Sequence, residues 1–407
     1  MTTPRPSMPR LAPQLSLRQP DADALAHSEH LRARIQEQII AAGGSLPFWK
    51  FMEMALYAPG LGYYSAGAMK FGPAGDFVTA PELSPLFAAC VADAVTPVLQ
   101  QLGPDAEFVE IGGGSGAFAE IALAKLLAND ALPARYAILE PSADLRERQR
   151  ERLHQRLPPL LFELVAWLDG PPDEPWNGVL FANEVIDALP TPRFVIRDGE
   201  VFEEHVALDG EGRFVRSDRP ADPMLAAAVR HVERQLPEPF AEGYRSEVLA
   251  QLPYWLQAVM GGLKDGAMLL IDYGYARSEY YQPQRSDGTL RAFRQHHLVG
   301  DVHAYPGLQD ITASVDFTAL AEAGTGTGFD FVGYCSQASF LIGNRLQENL
   351  ALAESRTADD IARHALRTQV KQLTLPNEMG ERFQAIGFQR GVELGAAFLV
   401  GDLSHRL

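Results

Sequence analysis

Residues 107–116 read Glu-Phe-Val-Glu-Ile-Gly-Gly-Gly-Ser-Gly, and this stretch decides the fold class. The apolar run at residues 108–111 is typical of a short buried strand, and the glycines follow where the chain must turn sharply. The apolar spacing of residues 117–127 predicts a helix directly after the turn. A glycine-rich loop between a strand and a helix is the context in which such loops bind nucleotide-like ligands.

Strands and helices continue to alternate on the carboxyl side of this loop. Residues 136–139 and 161–166 are predicted strands, a helix is predicted at residues 142–157, and residues 178–182 and 268–271 are two further apolar strands. Uninterrupted apolar strands of this kind are buried on both faces of a parallel sheet. The pattern predicts an α/β protein with a Rossmann-like, doubly wound sheet and right-handed crossovers.

The other segments divide the chain into three predicted parts. Residues 1–27 contain many prolines and are predicted to be a disordered tail, although the arginines and missing acids of its first twenty residues leave a mitochondrial transit peptide as an alternative. Residues 28–105 are predicted to form a helical cap that includes a loop beside the predicted ligand site. Residues 106–407 are predicted to form the core, with insertions at about 193–262 and 275–323.

Local patterns predict further elements in the cap and in the insertions. Asp198-Gly199 is a strong hairpin signal, and the second insertion is expected to be either a functional loop or a disordered one. Helices are predicted at residues 31–42, 48–57, 86–102, 224–235 and 246–261, and the strands of the hairpin are predicted at residues 194–196 and 201–206.

Charge and cysteine content exclude several classes of function. The formal net charge of the 407 residues is −17, which argues against nucleic-acid binding. Cys90 and Cys335 are far apart and lack metal-ligand spacing, so they are predicted to be buried thiols in a reducing compartment. We expect a bacterial cytoplasmic protein, with the mitochondrial matrix as the alternative.

No metal site and no membrane span are predicted. The histidines at 296, 297 and 303 lie near Asp301 and Asp310, but no pair has a recognised ligand spacing. No apolar run approaches the roughly 18 to 20 residues that a membrane span requires. The sequence therefore predicts a soluble protein.

Two carboxylates beside the glycine loop indicate its ligand. Glu110 immediately precedes the glycines, and Glu140 ends the second core strand, where a carboxylate can accept both hydroxyls of a ribose. An acid at the position of Glu110 would repel a pyrophosphate but suits the cationic methionine end of S-adenosylmethionine. A dinucleotide enzyme is the alternative, because Gly112, Gly114 and Ala117 satisfy the G-x-G-x-x-A pattern.

Polar residues also follow the two later core strands. Asn183, Glu184 and Asp187 come after residues 178–182, and Asp272 comes after residues 268–271. The carboxyl ends of parallel strands form the ligand-binding edge of such sheets. Glu184 and Asp187 would hold a guanidinium if their turn is helical. Alternatively, Asp187 caps a helix and the other two acids are ordinary loop residues.

Several longer motifs carry a family resemblance. In chain order they are GDFVTAPELSP, FVEIGGGSG, Glu140-Pro141, FANEVIDALP, LLIDYG, TLRAFRQHHLVGDVHAYPGLQDITASVDFTAL, SQASFL and LPNEMGERF. In these motifs, from about residue 51 to 383, the chain resembles the MidA-like family, which comprises the mitochondrial complex I assembly-factor arginine methyltransferases and their bacterial relatives.

The resemblance implies a Rossmann-like methyltransferase core, S-adenosylmethionine as cofactor and, in the mitochondrial members, a protein arginine as acceptor. The residues expected to bind or border the cofactor are Asp76, Thr79, Glu82, Glu110, Gly112, Gly114, Gly116, Glu140 and Asn183. The residues expected to face the acceptor and act in catalysis are Asn183, Glu184, Asp187 and Asp272.

The predicted function is methyl transfer from S-adenosylmethionine to a protein arginine, with a subunit of respiratory complex I as the expected substrate. A guanidinium stays protonated to very high pH and delocalises its lone pairs, so carboxylates must orient it. Two alternatives stay open: methylation of a small metabolite, and a cofactor-binding assembly factor without essential turnover, since a binding motif does not establish turnover. Assembly as a homodimer is also left open.

Overall fold

An eight-stranded mixed sheet forms the centre of the part of the chain that the structure, a computed structural model, describes. The described residues are 19–65, 79–295 and 297–407. Residues 1–18 of the tail predicted at 1–27, the loop 66–78 with Asp76, and His296 lie outside them. The last residues of the predicted tail, 22–27, belong to a helix.

The amino-terminal segments are mainly helical, as predicted. Helix α1 begins earlier than expected because the side chain of Asp21 caps it, accepting a hydrogen bond from the N–H of Ala24 (2.8 Å). The elements are α1 (Ala22–Ala41), β1 (Ser45–Pro47), α2 (Phe48–Tyr57), α3 (Ala80–Leu83) and α4 (Pro85–Leu102).

Helix α4 packs in the core against the central sheet. By length and composition it could cross a membrane, with a mean hydropathy of 1.2 over 18 residues, which the sequence analysis did not anticipate. However, 61% of that window is buried inside the fold. Most of this window is therefore covered by protein, as expected for a core helix.

The core alternates strands and helices around the glycine loop. Its first elements are β2 (Glu107–Ile111), α5 (Ala117–Ala128), β3 (Arg135–Leu139), α6 (Ala143–Arg156), α7 (Pro159–Phe162), β4 (Val165–Leu168) and β5 (Trp176–Asn183). Strand β2 pairs in parallel with β3 and β5, and β3 pairs in parallel with β4. The predicted Rossmann-like class is confirmed.

One core strand lies later in the chain than predicted. The prediction placed it at residues 161–166, but residues 159–162 form α7 and the strand begins at Val165. The reason is local, because Pro159 occupies the first helical position, where a proline favours a helical turn. Leu161 of this turn is buried in the core.

The first insertion builds a second sheet beside the core. Its elements are β6 (Arg193–Arg197), β7 (Glu200–Leu208), β8 (Phe214–Pro220), α8 (Pro223–Glu233), β9 (Arg245–Glu247) and α9 (Leu252–Met260). The hairpin prediction is confirmed, and β1 of the cap joins β7. The helix predicted at 246–261 is wrong in its first part, because β9 pairs with β6 and the buried acid Glu247 accepts a hydrogen bond from Arg193.

The second insertion also has regular structure. Strand β10 (Leu263–Tyr275) runs parallel to β5. The insertion contains α10 (Arg277–Tyr280), β11 (Arg291–Arg294), β12 (His297–Val299), β13 (Asp310–Thr312) and β14 (Val315–Asp316). Strands β12, β11 and β13 form a small antiparallel sheet. This segment is therefore folded against the core. Strand β13 places Asp310 near the carboxyl ends of the parallel strands.

The carboxyl-terminal segment completes the central sheet with strands that were not predicted. It contains α11 (Phe317–Gly326), β15 (Asp330–Ser336), α12 (Gln337–Gly343), α13 (Leu346–Ser355), α14 (Asp360–Thr374), β16 (Phe383–Arg390) and two 3₁₀ turns, at Gly395–Phe398 and Ser404–Arg406. Strand β16 lies antiparallel between β10 and β15.

Candidate functional site

A cavity of about 470 Å³ lies at the carboxyl ends of the parallel strands. Its volume is within the roughly 300 to 1,000 Å³ that is usual for small-molecule sites. Among the described residues, seven acids line it and no lysine, arginine or histidine does: Glu82, Glu110, Glu140, Asp169, Glu184, Asp187 and Asp310. A cavity lined by one sign of charge attracts ligands of the opposite sign, so this one favours cations.

Two glycines of the loop have conformations that other residues adopt with strain. Gly112 has φ +70°, and a Cβ there would lie 2.9 Å from Cγ2 of Val185. Gly114 has φ +54° and lines the cavity, and a Cβ there would meet no described atom within 4 Å. Gly116, which was expected to contact the cofactor, instead precedes α5 and does not line the cavity. The loop thus leaves open space for a ligand beside Gly114.

Glu110 is 3% exposed and lies at the base of the cavity. Burial raises the pKa of Glu110 to about 8; a hydrogen bond from the hydroxyl of Tyr136 opposes this rise and the nearby charge of Glu140 adds to it. The Tyr136 hydroxyl donates to Oε2 of Glu110 over 2.7 Å. A cation in the cavity would favour the ionised form of this carboxyl.

Glu140 is held at the end of β3 by two donors. The backbone N–H of Ser142 donates to its Oε1 (3.0 Å), and Nε2 of Gln149 donates to its Oε2 (3.3 Å). The same Gln149 nitrogen donates to the carbonyl of Gly114 (2.9 Å), so one side chain fixes both the acid and the loop. The sequence analysis did not assign Gln149. The available signal was its position four residues from Leu145 on the buried face of α6.

Thr79 and Glu82 also line the cavity. Thr79 immediately precedes α3, and Glu82 lies within that helix. The hydroxyl of Ser115 donates a hydrogen bond to Glu82 and accepts one from Arg152 (3.0 Å). These contacts join the cap to the glycine loop and to α6. Asp76, which was expected beside them, lies outside the described residues.

Asn183 and Glu184 reach the cavity from the end of β5. Nδ2 of Asn183 (2.9 Å) and the backbone N–H of Ala80 (3.2 Å) both donate to Oε1 of Glu184. Oδ1 of Asn183 and Oε2 of Glu184 are buried and have no hydrogen-bond partner among the described residues. Burial raises the pKa of Glu184 to about 8; hydrogen bonds from Asn183 and Ala80 lower it, and the charges of Asp272 and Asp310 raise it.

The turn after Asn183 is not helical. Glu184 has φ +55°, and residues 184–190 form bends and turns. Glu184 and Asp187 therefore do not share a helix face, although both line the cavity. Oδ1 of Asp187 is buried without a hydrogen-bond partner among the described residues, and burial together with the charges of Asp272, Asp310 and Glu184 raises its pKa.

Asp272 was expected to face the acceptor, but it lies beneath this turn and outside the cavity lining. Its carboxylate accepts hydrogen bonds from the backbone N–H groups of Ile186 (3.0 Å), Asp187 (3.2 Å) and Tyr273 (2.8 Å). Burial raises the pKa of Asp272 to about 7, although these hydrogen bonds lower it. Asp272 is therefore a positioning residue for the turn that carries Asp187.

The cap and the second insertion contribute lining residues that the sequence analysis did not assign to this site. The rings of Tyr57 and Tyr64 stack with centroids 5.5 Å apart. The Tyr57 hydroxyl donates to the carbonyl of Ala188 (2.9 Å), and the Tyr64 hydroxyl donates to Oδ1 of Asp310 (2.9 Å). Asp310 had been considered only as a metal ligand. Its position depends on the pairing of β13 with β11, which no local pattern reveals.

Comparisons with known proteins agree with this site. Residues 90–335, more than half of the chain, match the family described as "Putative S-adenosyl-L-methionine-dependent methyltransferase". A crystal structure of a COG1565 superfamily member from Burkholderia thailandensis, bound to S-adenosyl-homocysteine, superposes with a TM-score of 0.88. It is 41% identical in sequence, and the match covers 96% of this chain and 100% of that one.

Two of the similar curated proteins are from animals. "Protein arginine methyltransferase NDUFAF7 homolog, mitochondrial" of Drosophila melanogaster is 29% identical over 92% of this chain and 88% of its own length. The Danio rerio protein "Protein arginine methyltransferase NDUFAF7, mitochondrial" is 26% identical over 92% of this chain and 90% of its own. The predicted family resemblance, enzyme class and cofactor are confirmed. The chain belongs to this family and is an S-adenosyl-L-methionine-dependent methyltransferase.

Proposed function

We propose that this enzyme transfers the methyl group of S-adenosylmethionine to an arginine of a protein. The observation that carries the proposal is a pair of buried acceptor atoms in residues that line the cavity. Oδ1 of Asn183 and Oε2 of Glu184 lack hydrogen-bond partners among the described residues. Two acceptor atoms in a cavity whose described lining residues include no basic side chain suit the N–H donors of a cation. The names of the animal relatives support the same acceptor.

The residues around the glycine loop fit the cofactor. Glu140 would accept the ribose hydroxyls, and the open space beside Gly114 would take the cofactor's methionine portion near Glu110. Thr79 and Glu82 would border it from the cap. The bound cofactor supplies an electrophilic methyl group on a sulfonium.

The chain's own groups would orient the acceptor and take up a proton. A guanidinium enters protonated and leaves as a methylated guanidinium of the same charge, so one N–H proton must depart as the N–C bond forms. A cationic acceptor beside Glu184 would favour the ionised form of this carboxyl. The carboxylate would accept a hydrogen bond from the reacting nitrogen and then take up its proton, and burial, which raises the pKa of Glu184 to about 8, makes it a stronger base than an exposed carboxylate. Asn183 would hold the same nitrogen or its neighbour in line.

A small-molecule methyltransferase is the second candidate, because Tyr57 and Tyr64 of the cap line the cavity and would help to enclose a small acceptor. An assembly factor that binds the cofactor without essential turnover is the third. The three candidates differ in where label from the cofactor appears.

We further propose that the substrate is a subunit of respiratory complex I. For the oligomeric state we propose a homodimer. The buried free thiols Cys90 and Cys335 are compatible with a reducing compartment, for which we propose the bacterial cytoplasm. The mitochondrial names of the animal relatives make the matrix the alternative.

The test uses labelled cofactor, the full chain and the large hydrogenase-like subunit of complex I from the same source, with modified arginine read by mass spectrometry. Glu184→Gln keeps the side-chain shape and removes the charge. We expect it to slow methylation by roughly a hundredfold or more while S-adenosylhomocysteine affinity is retained.

Glu279→Gln is the matched control, since Glu279 lies outside the cavity lining and pairs with Arg406. Unchanged activity in Glu184→Gln contradicts the role of Glu184. Label in a metabolite of a matched extract supports the small-molecule enzyme, and tight cofactor binding with no labelled product supports the assembly factor.

A further inference from the structure

We propose that Tyr57, Tyr64, Asp187 and Asp310 form a subsite that recognises the flat guanidinium of the acceptor and selects arginine over lysine. This inference rests on the proposed function, and it assigns the choice of acceptor to the cap and the second insertion rather than to the core. In this arrangement one edge of the guanidinium faces Asn183 and Glu184, and the opposite edge faces Asp187 and Asp310.

Asp310 is placed at the cavity by long-range contacts. It is 5% exposed, lies on β13 and lines the cavity. Strand β13 is fixed by its pairing with β11, where Phe293 is the partner of Asp310. The Tyr64 hydroxyl, donating to Oδ1, orients the carboxylate further. A carboxylate held in one orientation can distinguish a planar donor from a compact one.

Asp187 is the second acid of the subsite. Its side chain lines the cavity, and its buried Oδ1 has no hydrogen-bond partner within the described chain. The backbone carbonyl of Asp187 accepts from the N–H of Ala313 (2.9 Å), which ties its turn to the second insertion. Burial and the neighbouring charges of Asp272, Asp310 and Glu184 raise the pKa of Asp187, so a cation is the ligand that would relieve this cluster.

Three other acids of low exposure, which lie outside the cavity lining, have a basic partner within the chain. Arg193, which is 1% exposed, bonds Glu204 and Glu247 at 2.9 Å each. Asp316 is paired with Arg277 at 3.0 Å. Arginine thus neutralises Glu204, Glu247 and Asp316, whereas no basic side chain of the described residues lines the cavity beside Asp187. An arginine from another molecule would complete the same pairing.

The two tyrosines form a stacked pair of rings that lines the cavity together with the acids. Their rings lie at 23° to each other, and both hydroxyls are engaged in hydrogen bonds. The N–H of Tyr64 donates to the carbonyl of Leu56 (2.8 Å), so the second ring is fixed against α2. A guanidinium stacks on an aromatic face and presents several coplanar donors, while a lysine ammonium is a compact, strongly hydrated charge. This difference is the physical basis of the proposed selection.

The experiment measures binding to the full chain saturated with S-adenosylhomocysteine, so it does not depend on turnover. The probes are Nα-acetyl-arginine amide, its lysine counterpart and its neutral citrulline counterpart, titrated by NMR. The wild type should bind the arginine probe best. Asp310→Asn should weaken arginine binding by about ten- to hundredfold while binding of the citrulline probe changes little.

Tyr64→Phe is the second variant, since it removes only the hydroxyl that orients Asp310, and we expect a smaller loss of arginine affinity and a reduced preference over lysine. Asp301→Asn is the matched control, an exposed acid of the same insertion that lies outside the cavity lining. Retained S-adenosylhomocysteine affinity in each variant establishes that the protein is folded.

Two results overturn the subsite. One is a wild type that binds the citrulline or lysine probe as well as the arginine probe. The other is Asp310→Asn and Tyr64→Phe proteins that keep the wild-type preference. If the wild type methylates a protein arginine but these variants keep its preference, only the subsite is wrong. If methylation of arginine fails while the probe preference holds, the proposed reaction is wrong and the guanidinium site remains.

Discussion

Gly114→Ala tests whether the glycine loop holds the cofactor. Gly114 has φ +54°, and a Cβ there would enter open space in the cavity without meeting a described atom within 4 Å. The left-handed conformation costs an L-residue about 1 to 2 kcal/mol, so the variant should fold with modestly reduced stability. The added methyl group would take space that the cofactor needs, and we expect affinity to fall about a hundredfold or more.

The size of this effect can be measured as ligand-induced stabilisation. At a free S-adenosylhomocysteine concentration of about 100 dissociation constants, the wild type gains about 2.7 kcal/mol. If affinity falls hundredfold, the same concentration stabilises Gly114→Ala by only about 0.4 kcal/mol. Thermal unfolding with and without ligand measures the difference, and calorimetric titration gives the affinity directly.

Gly199→Ala is the matched control. Gly199 has φ +74°, meets no described atom within 4 Å of an added Cβ, and lies in the hairpin of the first insertion, outside the cavity lining. It should lose similar stability and keep full stabilisation by the ligand. Wild-type affinity in Gly114→Ala would refute the assignment of this loop to the cofactor.

Three further predictions concern buried charge. Arg193→Met should lower the free energy of unfolding by about 3 to 5 kcal/mol in denaturant titrations, because Glu204 and Glu247 lose a buried partner; a loss below about 1 kcal/mol would contradict this. Tyr136→Phe should lower the free energy of unfolding by about 1 to 3 kcal/mol in the same titrations, because Glu110 loses its hydroxyl donor. An unchanged free energy of unfolding would argue against that hydrogen bond. Because burial raises the pKa of Glu110 from 4.5 to about 8, the folded state binds a proton that the unfolded state has released, so stability should fall as pH rises between these values. Melting curves in this range should show the fall, and a rise would contradict it.

The cofactor end of the site was predictable because its signals are local. A strand, a turn of glycines and a helix are adjacent in sequence, and Glu110 belongs to the same stretch. Glu140 follows the next strand, so parallel pairing alone brings it to the same edge of the sheet. Gln149 was missed because a polar residue on a helix does not reveal that its partners are the loop and Glu140.

The acceptor end was only partly predictable because it depends on long-range pairing. Asp310 reaches the cavity through the pairing of β13 with β11. Tyr57 reaches it from a helix far earlier in the chain. Asp272 follows a core strand as predicted, but its carboxylate turns toward backbone N–H groups, an outcome that tertiary packing decides. Strands β15 and β16 were missed for a similar reason, since they complete a sheet whose other strands lie elsewhere in the sequence.

The two kinds of buried acid in this chain have opposite effects on the ligand-free protein. Glu204 and Glu247 each have a buried basic partner in Arg193, and Glu204 also pairs with Arg245. Glu184 and Asp187 are buried with oxygens that lack hydrogen-bond partners among the described residues, and burial raises the pKa of both. Such groups destabilise a fold unless a ligand satisfies them, so their presence in a cavity is better explained by binding than by stability. The guanidinium of an arginine would supply both the N–H donors and the positive charge, so these oxygens favour the proposed arginine acceptor over a metabolite that lacks N–H donors.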